Sequence, residues 1–150
     1  MLRACLRTAS ILVALSLAAC VASGPAFVPA APPADDRTLV YMYREDSQTG
    51  NVNGMTISVD GNETATLYRL GYTRFYVKPG TRTISVKFGF GFGAPQTYQI
   101  YLKGGDTRYF RLGASQPQGG AILEFTPVIS AVGEREVVFY RFQEPIRQPF

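Results

Sequence analysis

Apolar and polar residues alternate with a period of two along most of the chain after Arg37, in short runs rich in Val, Ile, Thr, Tyr and Phe. Successive side chains of a β-strand point to opposite faces, so this pattern predicts strands rather than helices. In one such run, Met55, Ile57 and Val59 are predicted to face the core. Gly, Pro and Asn separate the runs at short intervals. The pattern therefore predicts an all-β domain, a single antiparallel β-sandwich of about seven strands.

Three turn sequences predict hairpins between successive strands, namely Asp60-Gly61, Pro79-Gly80 and residues 103–106. Pro fixes φ at the first central position of a type II turn, and Gly tolerates the positive φ at the second. Pro79-Gly80 therefore predicts that the strand ending at Val77 pairs with the strand 81–88. Within that second strand, Ile84 and Val86 are predicted to face the core.

The domain is predicted to span residues 37–144, with a C-terminal tail over residues 145–150. Its last run, residues 134–142, fits either a strand or a short helix that ends before Pro145. The β-branched and aromatic residues of this run favour the strand.

The N-terminus has the pattern of a secretory signal peptide over residues 1–19, with Arg3 and Arg7 before a short apolar run. That run is shorter than the roughly 20 residues that a spanning helix requires. The sequence Leu17-Ala18-Ala19-Cys20 resembles the lipobox of bacterial lipoproteins. This resemblance implies that diacylglycerol is attached to Cys20 before the signal peptide is cleaved. The expected partner is therefore a membrane, which the lipid on the mature N-terminus enters. An ordinary secreted protein is the alternative.

Val21 follows Cys20, whereas Asp at that position resembles an inner-membrane retention signal in bacteria with two membranes. By that analogy, the expected location is the inner leaflet of the outer membrane, facing the periplasm. Residues 20–36 are predicted to be the lipidated Cys and a Pro/Ala-rich linker. A polyproline II conformation extends about 3.1 Å per residue, so this linker is expected to hold the domain some tens of ångströms from the membrane.

Four sequence pieces also resemble a known family, namely residues 40–44, 57–61, 79–86 and 105–111. Their order and spacing are similar to those of an uncharacterised family of small bacterial periplasmic lipoproteins, a domain of unknown function. The pieces V-D-G and P-G-x-x-x-I-x-V are similar to those of PEGA-like and transthyretin-like sandwich modules. The resemblance spans Thr38 to Phe125, implies a periplasmic β-sandwich and supplies no catalytic residues. It also implies a charged C-terminal helix, from which the tail after Pro127 departs.

The composition excludes several kinds of active site, because the chain has no His and only two Cys. Catalytic triads with His, His-based metal sites and Cys/His zinc sites are therefore excluded. Cys5 lies in the signal peptide, so Cys20 has no intramolecular disulfide partner. Asp60 and Asp106 lie beside Gly and are explained as turn residues. No enzymatic activity, metal or cofactor is expected.

Nucleic acid is not an expected partner of this chain. The formal net charge of +4 falls to +2 when Arg3 and Arg7 are removed with the signal peptide. The remaining basic residues alternate with acidic ones along the predicted strands, which is typical of a solvated surface.

Two patterns are candidates for a binding surface. In residues 88–93, Phe alternates with Gly, which fits either a partner-binding or membrane-contacting tip or a core strand that ends in a Gly-rich turn. Tyr and basic residues also alternate on two predicted hairpins, which fits either a binding surface or an ordinary exposed sheet face. The candidate surface residues are Tyr72, Arg74, Tyr76, Phe90, Phe92, Tyr101 and Tyr109.

The sequence thus favours a lipid-anchored, non-enzymatic binding or structural module of the cell envelope, with another envelope protein as its partner. The alternative is a carrier or sensor that holds a small ligand or glycan between the Phe-Gly segment and the tyrosines. A hydrolase is the third hypothesis and would require a converging pair of carboxylates. The sequence leaves the identity of the partner, the exposed sheet face and the oligomeric state open.

Overall fold

The computed structural model describes residues 21–47, 54–89, 94–115 and 122–149. These residues form nine strands and one helix, where about seven strands were predicted. The elements are β1 (Thr38–Arg44), β2 (Met55–Val59), β3 (Asn62–Leu67), β4 (Gly71–Val77), β5 (Gly80–Phe88), β6 (Gln96–Leu102), β7 (Thr107–Ser115), β8 (Ile122–Val128), α1 (Ser130–Val137) and β9 (Arg141–Phe142). The described chain is therefore mostly β, as the period of two predicted.

The strands form two sheets. One has five strands in the order β8-β7-β1-β4-β9, and the other has four in the order β3-β2-β5-β6. All pairs in the four-stranded sheet are antiparallel. In the five-stranded sheet, however, β1 is parallel to β7 and β4 is parallel to β9. The prediction of a purely antiparallel architecture is therefore wrong for the five-stranded sheet.

One hydrophobic cluster contains buried side chains from both sheets. Val40, Phe75 and Phe110 belong to the five-stranded sheet, and Ile57 and Val86 belong to the four-stranded sheet. The other residues predicted to face the core from β2 and β5 are buried in the same cluster, namely Met55, Val59 and Ile84. Alternation along β2 and β5 therefore identified the inward faces of these two strands correctly.

Only one of the three predicted hairpins joins strands that pair with each other. Asp60 and Gly61 have φ values of 49° and 80°, and they connect the antiparallel pair β2 and β3. Two successive residues with positive φ are what a type I′ hairpin turn requires.

The other two predicted hairpins are wrong, because each of those loops connects one sheet to the other. β4 precedes Pro79 but pairs with β1 and β9, whereas β5 pairs with β2 and β6. The loop over residues 103–106 likewise leads from β6 to β7, which pairs with β1 and β8. A turn sequence fixes the local direction of the chain, but these strands satisfy their hydrogen bonds with more distant partners.

The prediction of a strand over residues 134–142 is also wrong for most of its length. Residues 130–137 are helical, and only Arg141 and Phe142 form a strand. The helix is stable here because it buries Gly133 and Val137 against the outer face of the five-stranded sheet, the face that points away from the shared core. This tertiary contact outweighs the β-propensity of the run. A short helix that carries Glu134, Arg135 and Glu136 is therefore present where the sequence favoured a strand.

Residues 21–36 lie across that same outer face, although the sequence predicted a free linker. The N–H of Ala22 donates to the carbonyl of Arg69 at 3.0 Å, and the carbonyl of Pro25 accepts from the N–H of Phe142 at 2.9 Å. The hydroxyl of Tyr76 donates to the carbonyl of Ala31 at 2.8 Å. Residues 21–31 are therefore packed against the domain and do not form an extended spacer before it.

Candidate functional site: a covered tyrosine face and an open strand edge

Four of the seven predicted surface residues lie together on the outer face of the five-stranded sheet. Tyr72, Arg74 and Tyr76 alternate along β4, and Tyr109 lies on β7. Tyr41 on β1 is the register partner of both Arg74 and Tyr109, so these three side chains form one row across the sheet. We call this surface the tyrosine face.

The other three predicted surface residues do not join this face. Tyr101 lies on β6 in the four-stranded sheet, where its side chain is 68% exposed. Phe90 and Phe92 lie outside the described residues, as does the predicted lipidation site, Cys20.

The tyrosine face is covered by segments of the same chain. Tyr72 and Tyr109 are only 1% and 5% exposed. The rings of Tyr41 and Tyr109 stack at 5.1 Å, and the ring of Phe27 lies 5.4 Å from that of Tyr72. Helix α1 approaches so closely that a Cβ on Gly133 would lie 2.3 Å from Cγ of Tyr109. The face therefore forms a second core rather than a free binding surface.

Arg74 and Tyr76, the less buried members of the face, also bind the covering segments. The guanidinium of Arg74 lies 5.3 Å from the ring centre of Phe142, and it donates a hydrogen bond to the carbonyl of Val28. Tyr76 donates to Ala31 as described above. Both contacts hold residues 28–31 against β4.

A polar cluster attaches the last turn of α1 to the sheet. The hydroxyl of Tyr43 donates to Oε2 of Glu136 at 2.6 Å, and Arg111 donates to Oε1 of the same carboxylate at 3.2 Å. Nε of Arg111 also lies 3.2 Å from Oε1 of Glu45. Burial, followed by the hydrogen bond to Glu136, raises the pKa of Tyr43 well above its ordinary value. Its phenol therefore stays protonated and serves as a structural donor.

A cavity of about 330 Å³ remains between the tyrosine face and its cover. Its lining consists of Phe27, Pro29, Ala30, Pro32, Leu39, Tyr41, Thr107, Tyr109 and Glu134. Burial, and to a smaller extent the charge of Glu134, raises the pKa of Tyr109 to about 12. The volume lies at the lower end of the range of small-molecule sites. A larger and more open depression of about 560 Å³ is lined by residues 105–108 and 127–130.

Several carboxylates have structural partners. Asp60 accepts from the N–H of Thr83 at 2.9 Å and from Arg82 at 3.1 Å, which agrees with its predicted role in a turn. Oδ1 of Asp46 lies 3.4 Å from a guanidinium nitrogen of Arg69.

Within the described ranges, no three His, Cys, Asp or Glu side chains form a group that could hold a metal. Nor does any helix in those ranges have the length and apolar character needed to cross a membrane.

Three of the four lateral edges of the sheets are protected against further pairing. β9 has only two residues, and β8 contains Glu124 and Pro127, whose nitrogen cannot donate. The C-terminal segment covers β3, where the N–H of Ile146 donates to the carbonyl of Thr64 at 2.7 Å.

Within the part of the chain that the structure describes, the fourth edge, β6, carries none of these protections. Its seven residues, QTYQIYL, include no charge and no Pro. On its outer side, β6 is bonded to no other strand of the described chain. Tyr98 stacks on Phe125 of β8 at 4.4 Å, while Thr97, Gln99 and Tyr101 are exposed. Sequence reasoning missed this edge because the absence of charge over residues 96–102 has meaning only once the order of the strands is known.

A family model described as "Protein of unknown function (DUF2846)" matches residues 34–123. The matched residues include β1 to β7 and the first two residues of β8, whereas α1, β9 and residues 21–33 lie outside the match. The comparisons with curated proteins and with solved structures each found no match. Because the family model matches more than half of the 150 residues, the chain belongs to the DUF2846 family.

Proposed function

We propose that this chain is a non-enzymatic binding module of the bacterial cell envelope, anchored by lipid on Cys20, that docks a partner protein along the edge of β6. The domain is a β-sandwich in this proposal, similar to PEGA-like or transthyretin-like modules, because both sheets contribute to one hydrophobic cluster. The observation that carries the proposal is the open and uncharged edge of β6.

An open edge strand presents a row of unpaired N–H and C=O groups, to which an extended segment can add as a further strand. Proteins usually protect such edges with charges, Pro, shortening or a covering segment, and the other three edges of this chain have such protection. The exposed side chains of Thr97, Gln99 and Tyr101 would lie beside the added strand and give it side-chain contacts. The proposed partner is therefore an envelope protein with an extended segment.

The membrane anchor is the second part of the proposal. A thiol is the strongest nucleophile at the junction around Cys20, and each buried CH₂ of an attached chain contributes about 0.8 kcal/mol to membrane binding. Several acyl chains give a lasting anchor, whereas one does not. Val21 in place of Asp favours the inner leaflet of the outer membrane, facing the periplasm.

Acyl labelling in cells tests the anchor. Cys20→Ser is expected to abolish incorporation of labelled fatty acid, whereas Cys5→Ser, a matched change within the signal peptide, is expected to leave it unchanged. A Cys20→Ser chain that still incorporates the label would refute the anchor.

Photo-crosslinking in intact cells tests the edge. A photoreactive residue at Gln99 or Tyr101 is expected to give a discrete adduct with another envelope protein, and the same residue at exposed Glu63 on β3 serves as the control. In a chain with the photoreactive residue at position 101, the further substitution Gln99→Lys should remove the adduct without changing Tm. A Lys side chain on an edge strand disfavours pairing with another strand. The absence of an adduct, or an adduct with only a second copy of the chain, would contradict the proposal.

The cavity of about 330 Å³ favours a second candidate function, a carrier of a small ligand. Aromatic rings of Phe27, Tyr41 and Tyr109 line it, with the carboxylate of Glu134 among the lining groups. Native mass spectrometry of protein purified from cell envelopes tests this function. The substitution Ala30→Trp fills the cavity. A bound molecule that is present in the natural chain and lost in Ala30→Trp would support the carrier function, whereas identical spectra of the two chains would contradict it.

A further inference from the structure

The first described residues after Cys20 are fixed at one end of the five-stranded sheet, the end at which β4 begins. Val21 forms an isolated parallel bridge with Arg69, and the N–H of Ala22 donates to the carbonyl of the same residue at 3.0 Å. Adjacent Cα atoms are only about 3.8 Å apart. The residue bonded to Val21 therefore lies close to this end, which we call the anchor end.

The anchor end also carries the most exposed large apolar side chain of the described residues. Phe139 is 80% exposed and its neighbour Val138 is 46% exposed. Both precede β9, which runs parallel to β4 from Arg141, and the N–H of Arg141 donates to the carbonyl of Leu70 at 2.9 Å. The turn that holds Val138 and Phe139 therefore projects from the same end of the sheet as Val21.

Basic side chains flank this apolar turn. Arg135 in the last turn of α1 and Arg141 at the start of β9 are both exposed. Arg69 is also at this end, where one of its guanidinium nitrogens lies 3.4 Å from Oδ1 of Asp46. Two further acidic side chains at this end, Glu45 and Glu136, are bound to Arg111 and are less available to outside groups.

We infer that the anchor end rests directly on the phospholipid surface, with Val138 and Phe139 in the headgroup region and Arg141 against lipid phosphates. The inference rests on the acylation of Cys20 proposed above, and it deepens that proposal by specifying the orientation of the domain. Exposed apolar side chains beside basic ones are typical of peripheral membrane contacts, where long basic side chains reach the phosphates.

The contacts of residues 21–31 favour this close arrangement over a domain on a long tether. Ala22 is hydrogen-bonded to Arg69 in the loop before β4, Pro25 to β9 and Ala31 to β4, so these contacts fix residues 21–31 against the domain. A Cβ on Gly24 would lie 1.7 Å from the backbone oxygen of Phe142, which indicates how closely the segment is packed. A lipid on the residue before Val21 then brings the bilayer to the turn at Phe139.

Fluorescence quenching tests the contact, because the chain has no Trp and one introduced indole reports alone. Phe139→Trp is placed in the acylated mature chain, in vesicles of phosphatidylethanolamine and phosphatidylglycerol with brominated acyl chains. Ile129→Trp is the matched control, because Ile129 is 72% exposed and follows β8 at the opposite end of the sheet. The indole at 139 is expected to lose most of its fluorescence and shift to the blue, and the indole at 129 to do neither.

The possible results distinguish a failure of the proposed orientation from a failure of the proposed lipid anchor. The mass of the purified chain is measured first, and a chain without lipid would overturn both. Acylated Phe139→Trp that is quenched no more than Ile129→Trp would overturn the orientation while the anchor stands. Adding Gly24→Ala, which must displace residues 21–25 from Phe142, should reduce the quenching at 139, and unchanged quenching would contradict the role of the docked segment.

Discussion

Buried tyrosines are expected to make this protein sensitive to alkaline pH. Burial is the largest cause of a raised pKa at Tyr43, Tyr72, Tyr98, Tyr109 and Tyr140. In the unfolded chain, a phenol ionises near pH 10, whereas in the folded chain these phenols ionise at a higher pH. Their contribution to stability is therefore fully present below pH 10 and is lost as the pH rises towards the folded pKa values.

The magnitude is best worked out for Tyr109, which is 5% exposed and has a pKa of about 12. Between pH 10 and 12, the folded state retains a proton that the unfolded state has lost, so the free energy of unfolding falls by about 1.4 kcal/mol per pH unit. Tyr109→Phe removes this titration and keeps a ring stacked on Tyr41. The stability of Tyr109→Phe relative to the natural chain should therefore rise by about 1.4 kcal/mol between pH 8 and pH 11.

Urea denaturation followed by far-UV circular dichroism at pH 8, 10 and 11 measures this difference. Tyr101→Phe is the matched control, because its side chain is 68% exposed and its surroundings change little on unfolding. Absorbance at 295 nm reports the ionisation of the phenols during the same titration. If the stability curves of the natural chain and Tyr109→Phe stay parallel from pH 8 to pH 11, the reasoning is refuted.

Three substitutions test the packing of the two cores. Gly133→Ala should destabilise the domain by about 1 to 3 kcal/mol, because the added Cβ must displace the ring of Tyr109; an unchanged Tm would show that α1 moves freely. Val86→Ala should cost roughly 1 to 3 kcal/mol through lost burial and a cavity in the shared core, and an unchanged melting curve would contradict its placement there. Phe27→Ala should make residues 21–36 cleavable by protease while the remainder stays resistant, and equal resistance of the segment would refute its docking through Phe27.

The inward faces of β2 and β5 were predictable because side-chain direction depends only on local backbone geometry. Met55, Ile57 and Val59 are buried as the alternation indicated. The pairing of strands was not predictable in the same way, since it depends on which distant edge is available. Pro79-Gly80 has the sequence of a tight turn, yet β1 and β9 occupy the two sides of β4, so β5 pairs elsewhere.

The fold brings four of the seven candidate surface residues together, but the burial of that surface was not predictable from the sequence. Alternation along β4 placed Tyr72, Arg74 and Tyr76 on one face. The burial of that face depends on residues 21–36 and on α1, which are far away in sequence. α1 itself could not be recognised, because its apolar contact relies on the close approach of Gly133 to a ring on β7.

The direction of β6 connects the anchor end with the proposed docking edge. The guanidinium of Arg44, at the anchor end of β1, donates to the carbonyl of Leu67 at 3.1 Å, so β3 also ends there. The antiparallel pairs β3-β2, β2-β5 and β5-β6 then require β6 to begin at the anchor end with Gln96 and to run away from it. At about 3.3 Å per residue, its seven residues would reach roughly 20 Å from the bilayer in the proposed orientation. In the proposed orientation, a domain resting on the membrane would therefore still present Tyr101 away from the bilayer, where the proposed partner would add its strand.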